Sequence, residues 1–322
     1  MKVIQNFSSR KHIKKLPLFD IMIWFVGLTQ LKQLGYKTKL YCEQKDFEFL
    51  KAWGLYDLYD EIDDKFLSTL AKNKDFNAID GVNFWSARKL FCIDNEFKVS
   101  KEPFIYMDTD IVLLKPLVKL NKDCVVRTWC EEHEPIYIPW EFLSTPKGYT
   151  VRPDIMDTNI AYNCGILEFR SRKFFTDYFN EYLAFTKFNP CKFVGGYPTP
   201  DEKTARNVWA CNAEQRLLAG LATEQNAKVQ VFMNESNTTM RLGGFSEDGI
   251  HYYLLRGVLR TLYSPDSVAG TNKEFWLGLY NNQIEGLLDA IKATNKRLFY
   301  KFVSIPGIYD LYENDVQLTE YI

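Results

Sequence analysis

One short run constrains this chain more than any other. Phe104-Ile105-Tyr106-Met107-Asp108-Thr109-Asp110-Ile111-Val112-Leu113-Leu114 drives an apolar strand into two carboxylates one residue apart. Strand side chains repeat every two residues, so Asp108 and Asp110 converge where the ladder frays into a loop. Carboxylates that meet repel unless something positive sits between them, and a hard divalent ion with oxygen ligands is the usual solution. The alternative is a solvated Asp-Thr-Asp turn whose side chains bond nearby backbone. Apolar flanks on both sides keep the pair near the core and make leaving it unpaired expensive.

The surrounding segments alternate in periodicity. Val3 to Phe7 reads as a strand, Leu18 to Leu34 as a helix stopped by Gly35, Thr38 to Cys42 as a strand, and Asp46 to Trp53 as a helix stopped by Gly54. A helix over Phe84 to Phe97 leads into the Phe104 to Met107 strand, and Cys124 to Cys130 alternates like another strand. Further on, Ala161 to Phe169 reads as a strand, Lys173 to Phe188 and Glu214 to Thr223 as helices, and Gly195 to Pro200 as a loop. Val229 to Met233 and Gly249 to Tyr253 follow as strands, Asn272 to Thr294 has helical spacing, and Arg297 to Ile322 is a mixed aromatic and acidic tail. The expected fold class is α/β: a Rossmann-like, mostly parallel central sheet flanked by helices, with a C-terminal helical extension. Ligands of such sheets bind at the carboxyl ends of the strands, where Asp108 and Asp110 stand.

Composition narrows the function classes. With 322 residues, 46% of them hydrophobic, the chain can bury a large core. A formal net charge of -1 supplies no global field for nucleic acid or an anionic membrane. No apolar stretch resembles a signal peptide, and the longest apolar run, Ile21 to Leu28, is too short to span a bilayer. Seven cysteines without a CxxC pair point to reduced, packed thiols in a cytoplasmic protein, and with three histidines they give no pattern for structural zinc. Membrane contact through the aromatic tail lacks the support of a basic amphipathic pattern, and oligomeric state is not readable.

A strand ending in Asp108-Thr109-Asp110, a later Tyr162 to Phe169 strand carrying Asn163-Cys164-Gly165, Glu214-Gln215 opening a helix, and a still later Ile250-His251-Tyr252 strand follow one another in that order. Over Val3 to Gly257 this order resembles the GT-A glycosyltransferases, particularly glycosyltransferase family 8. The resemblance implies a GT-A catalytic domain over residues 1–260, with a nucleotide-sugar half over about 1–115 and an acceptor half over about 116–260, and an extension over 261–322. It implies transfer of a hexosyl group from a nucleotide sugar, UDP-linked, to a hydroxyl of a saccharide acceptor, with retention, in polysaccharide biosynthesis. Asp108 would contact the ribose and share the metal, Asp110 would chelate it, and His251 would be the third ligand. That mixed oxygen and nitrogen set suits Mn²⁺ better than Mg²⁺. Thr109 completes the donor-binding motif.

The same likeness gives Asn163 and Gly165 a place at the donor sugar, and Glu214 and Gln215 one behind the anomeric carbon. Arg88 and Lys89 would reach the diphosphate or the sugar. The family's glycine and Lys-Pro-Trp run after the histidine is missing, and Arg256 or Arg260 would replace its phosphate contact. Asp157 and Asn159 are further polar candidates, and Trp85, Trp129, Trp140 and Trp209 offer stacking surfaces for an acceptor sugar. Each residue also has a plainer reading: His251 a satisfied strand histidine, Asn163 a strand cap, Gly165 a bulge, Glu214 a helix-start carboxylate favoured by the dipole, Arg88 and Lys89 a solvated helix face. Two other classes compete, a haloacid-dehalogenase-like phosphatase using Asp108 as nucleophile and a non-catalytic sugar-nucleotide-binding protein.

Overall fold

The computed structural model describes residues 1–7, 18–80, 86–132, 138–195, 208–233, 248–251 and 286–303. The chain opens with β1 (Lys2–Asn6), α1 (Leu18–Gln33), β2 (Lys37–Tyr41), α2 (Phe47–Ala52) and β3 (Glu61–Asp63). Gly35 and Gly54, with φ of 78° and 67°, stop α1 and α2 in the left-handed region that glycine enters at no steric cost. After α3 (Phe66–Leu70), α4 (Lys74–Asp80) and α5 (Ala87–Val99), β4 (Phe104–Met107) returns to pair with β1 on the edge opposite β2. All four strands from β3 to β4 are parallel. Strand order therefore reverses between β1 and β4, and the crevice at their carboxyl ends is where such sheets take ligands.

The second half adds β5 (Ile111–Leu113), β6 (Cys124–Glu132), α6 (Pro153–Met156), β7 (Ala161–Tyr162), β8 (Ile166–Phe169) and α7 (Arg172–Thr186). A helical stretch over 208–224, α8, precedes β9 (Lys228–Met233) and β10 (Gly249–His251), and two helices, α9 over 286–294 and α10 (Lys296–Val303), follow. The main sheet runs β3-β2-β1-β4-β8-β6-β7, with β9 parallel to β6. Only its first half is purely parallel, because β8 is antiparallel to β4 and to β6. The two reversals leave β6 pointing the same way as β4.

Two expectations need correction here. Ala161 to Phe169 is not one strand: Tyr162 faces Glu131 while Leu167 faces Thr128, and with the Asn163 backbone still bonded to Trp129 and Cys130 the excess chain bulges out at Cys164 and Gly165. Lys296–Val303, read as tail, is a helix whose Leu298 and Phe299 enter the apolar cluster of α1. The rest of the expected helix from 272, and of the tail after 303, lies outside the described residues. Among the described residues no helix is long and apolar enough to cross a membrane. All seven cysteines are free thiols.

Every residue of β4 is buried, with Ile105 and Met107 packed on the α1 side and Phe104 and Tyr106 on the α5 and α7 side. That is why its sequence reads as a continuous apolar run and does not alternate. Helix α1 lies so close to β5 that a Cβ on Gly27 would stand 2.7 Å from the Ile111 carbonyl oxygen. Helix α5 is pinned by charge. Fully buried Glu96 accepts from Lys39 Nζ at 2.7 Å, from Lys2 Nζ at 3.2 Å and from the Tyr41 hydroxyl. Burial works to raise its pKa, but the Lys39 and Tyr41 hydrogen bonds outweigh it and hold the carboxyl below the usual range. Replacing Glu96 with alanine strands two lysines in the core, so Glu96→Ala should lower unfolding free energy by about 3–5 kcal/mol in a denaturant titration. The loss should be complete above the ordinary carboxylate pKa and shrink as pH falls through the depressed one, since the folded state is the weaker proton binder.

Candidate active site at the carboxyl ends of β4 and β6

Asp108, Thr109 and Asp110 form a tight turn between β4 and β5. Both aspartates therefore stand in a turn and not in a strand, so the period of two does not govern them. The Asp108 amide donates to the Gly165 carbonyl at 2.8 Å, tying the turn to the β7–β8 bulge. A buried relay secures the other side: the Trp24 indole donates to the Tyr59 hydroxyl at 2.7 Å, that hydroxyl donates to Gln5 Oε1 at 2.6 Å, and Gln5 Nε2 donates to the Asp108 carbonyl at 3.3 Å. Beyond the turn, β5 leaves the main sheet and pairs antiparallel with β10, with His251 opposite Ile111. The backbone of His251 therefore lies one position from Asp110, while its side chain falls outside the described residues. Among the described side chains no three of His, Cys, Asp and Glu gather as a metal site. Asp108 and Asp110 supply two oxygen donors of the kind a hard divalent ion takes, and a third donor would have to come from beyond them.

Lys89 enters this corner from α5. The solvated-face reading fails for it, because the residue is 4% exposed. Its Nζ stands 3.0 Å from Asp108 Oδ2, 2.8 Å from Glu214 Oε1 and 2.9 Å from the Cys164 carbonyl oxygen, and 5.2 Å from the centre of the Tyr106 ring. Burial alone would lower the ammonium's pKa, but the Asp108 and Glu214 carboxylates overcome it and keep the group charged. Arg88 turns elsewhere: Nη1 reaches Glu43 Oε1 at 3.2 Å, beyond the end of β2.

Glu214 is fully buried. It sits in a π-helical turn, Asn212–Arg216, inside α8, which is already helical from 208, so it does not open a helix and gains no N-terminal dipole. The Tyr178 hydroxyl donates to the Glu214 carbonyl at 2.8 Å. Arg216 bonds the Thr158 and Ile138 carbonyls, with 2.6 Å from Nη1 to the latter, and so staples the turn to the loops beside it. Complete burial pushes the Glu214 pKa up to about 7, against the lowering effect of Lys89 and with a further push from Asp108. Two carboxylates share one ammonium, and the inner one holds a proton near neutrality. Its Oε2 has no hydrogen-bond partner among the described residues. Gln215 is buried next to it.

The bulge completes the corner. Asn163 is 3% exposed, its Oδ1 accepts from the Gly165 amide at 2.9 Å, and its Nδ2 donates to Glu132 Oε1 at 2.7 Å. Its amide brackets the end of β6 to the bulge. Glu132, the last residue of β6, was not singled out from sequence; an acidic residue ending an alternating strand was the available signal. Trp129, Trp140 and Trp209 are core residues at 2% exposure or less and offer no stacking surface to an acceptor, whereas Asp157 and Asn159 are exposed before β7. Arg256, Arg260, Trp85, His12 and His133 lie outside the described residues.

Residues 1–254 match the profile of a family of unknown function, DUF6734. A comparison with curated proteins returns no match. Among solved structures, a chain described as PaToxG Glycosyltransferase aligns over 70% of this chain and 69% of its own, with 13% identity and a TM-score of 0.36, too loose a likeness to carry an argument. Glycosyltransferase family 8 is not the family that the profile match identifies.

Removing the shared ammonium should be severe: Lys89→Met leaves the buried Glu214 without its cation, beside a partly exposed Asp108, and should cost about 3 kcal/mol of unfolding free energy. Glu214 binds its proton more tightly folded than unfolded, so its protonation stabilises the protein fully below the ordinary carboxyl pKa, and that contribution fades as pH rises through about 7. Denaturation of Glu214→Gln beside the unmodified chain should show this pH slope in the latter and its loss in the variant.

Proposed function

This chain belongs to the DUF6734 family, a family of unknown function, and we propose that it is a glycosyltransferase of GT-A type. It moves a sugar from a nucleotide donor, UDP-linked, to a saccharide hydroxyl with the help of a divalent metal. The supporting observation is the meeting of Asp108, Lys89 and Glu214 at the carboxyl end of a parallel strand, with Asp110 in the same turn and the His251 backbone one position from it. An acidic pair at a strand-end turn next to a buried cation suits a ligand that brings a metal and a diphosphate together.

Asp108, Asp110 and the imidazole of His251 would hold the ion, Mn²⁺ or Mg²⁺, which when bound would offset the charge of the departing nucleoside diphosphate. Lys89 aims the Asp108 carboxylate by taking its Oδ2. It also adds fixed positive charge in a dry corner, where it acts with little reorganisation. Glu214 lies fully buried behind Lys89, where its Oε1 holds the ammonium in place beside Asp108. Asn163 and Gly165 hold the turn between these groups and exclude water from beneath it.

Thermal-shift measurements with UDP-, GDP-, CMP- and ADP-sugars, with and without Mn²⁺, test this directly. UDP-sugars should stabilise the protein only when Mn²⁺ is present, by about 2.7 kcal/mol at a hundredfold excess over Kd, and Asp110→Ala should abolish the effect. No shift with any nucleotide, or an undiminished shift in Asp110→Ala, would reject the assignment.

A further inference from the structure

We propose that Gln5 and Tyr59 are positioning residues that set the aim of the Asp108 and Asp110 pair toward the metal and diphosphate of the donor. The assignment rests on the glycosyl-transfer reading above and gives that site two supports that touch no substrate. Trp24 and Gln5 are 1% and 2% exposed and Tyr59 is 8% exposed, so whatever they do to a ligand passes through the backbone of the turn. Their hydrogen bonds run one way. An indole N–H only donates, so the Tyr59 hydroxyl accepts from Trp24 at 2.7 Å and directs its single proton to Gln5 Oε1 at 2.6 Å. The amide oxygen of Gln5 is thereby turned to Tyr59, and its NH₂ to the Asp108 carbonyl oxygen at 3.3 Å. Donor meets acceptor at every link, from α1 through the segment before β3 and through β1 to the turn.

The Asp108 carbonyl is a sensitive point. It belongs to one of the peptides that join the α-carbons of Asp108 and Asp110, so its direction sets the angle between the two side chains. The turn closes on that same oxygen through the Ile111 amide, but at 3.4 Å, toward the weak end of the hydrogen-bond range. Gln5 shares the task from outside the turn. The Gly165 carbonyl takes the Asp108 amide at 2.8 Å and Lys89 Nζ takes its carboxylate at 3.0 Å, and both of these contacts act before the peptide that leads to Thr109 and Asp110. The Gln5 bond acts on that peptide itself. Its origin is rigid: the Trp24 ring packs against Phe7, with centroids 5.0 Å apart, and edge-on against Tyr59. A buried polar chain with every link satisfied favours one arrangement over others, here one direction of the Asp108 carbonyl.

Calorimetric titration with UDP in the presence of Mn²⁺, beside urea unfolding of the ligand-free chain, provides the test. Gln5→Met keeps the length of the side chain and removes both polar groups. It should weaken UDP about tenfold, the usual cost of losing an outer support of a metal ligand, while the number of sites per folded molecule stays the same. Tyr59→Phe leaves Gln5 in place but lets its amide turn, and should give a loss between that of Gln5→Met and none. A merely structural role would lower the urea midpoint and the number of binding-competent molecules without moving Kd, so an unchanged Kd in Gln5→Met overturns the proposal. If Gln5→Met does not fold, Tyr59→Phe decides: a raised Kd supports the relay and an unchanged one overturns it. If the unmodified chain does not bind UDP with Mn²⁺, the glycosyltransferase reading falls, and the positioning role falls with it.

Discussion

The buried ammonium of Lys89 is the interaction on which the corner depends. It joins three parts of the fold that are distant in sequence: the turn after β4 through Asp108, the bulge before β8 through the Cys164 carbonyl, and the π turn of α8 through Glu214. A charge this deep is tolerable only because its donors are met, and the carboxylates are tolerable only because it is there.

Around that point the sheet changes character. On one side lie four parallel strands with both faces covered; on the other, β8 and β6 reverse and reverse again. The parallel half supplies a crevice at its switch point, and the mixed half brings a second strand end, that of β6, to the same edge. Helix α1 fixes the parallel side through Gly27, whose missing side chain admits the Ile111 carbonyl, and through the relay from Trp24 to the Asp108 carbonyl.

Much of this was legible in the chain. The opening alternation, the glycine stops at Gly35 and Gly54 and the buried strand ending in two aspartates follow from local periodicity and composition, and all appear where expected. Other features depend on contacts that no local pattern carries. Lys89 belongs to a helix whose neighbours Arg88 and Asp94 look solvent-facing, and only the arrival of α8 beneath it shows which side is buried. The π turn at Glu214 has no spacing signature, since one widened turn leaves residue types unchanged. The break in the Ala161 to Phe169 strand is hidden because both halves are apolar, and Glu132 gains meaning only through Asn163 across the sheet. The short strands β3 and β5 went unread as separate elements for want of length.

The bulge at Cys164 and Gly165 has a bearing on how this corner can evolve. Between Tyr162 and Leu167 the strand carries two residues more than β6 needs for the same distance. Side chains along a strand alternate with a period of two, so an excess of two preserves the sidedness of everything downstream. Relatives that lengthen or shorten this loop in steps of two would keep Ile166 and Glu168 on one layer and Leu167 and Phe169 on the other. A single-residue insertion would turn the strand inside out, carrying Glu168 away from Arg127 and Leu167 out of its layer. Changes in steps of two thus leave the sheet that carries the loop undisturbed.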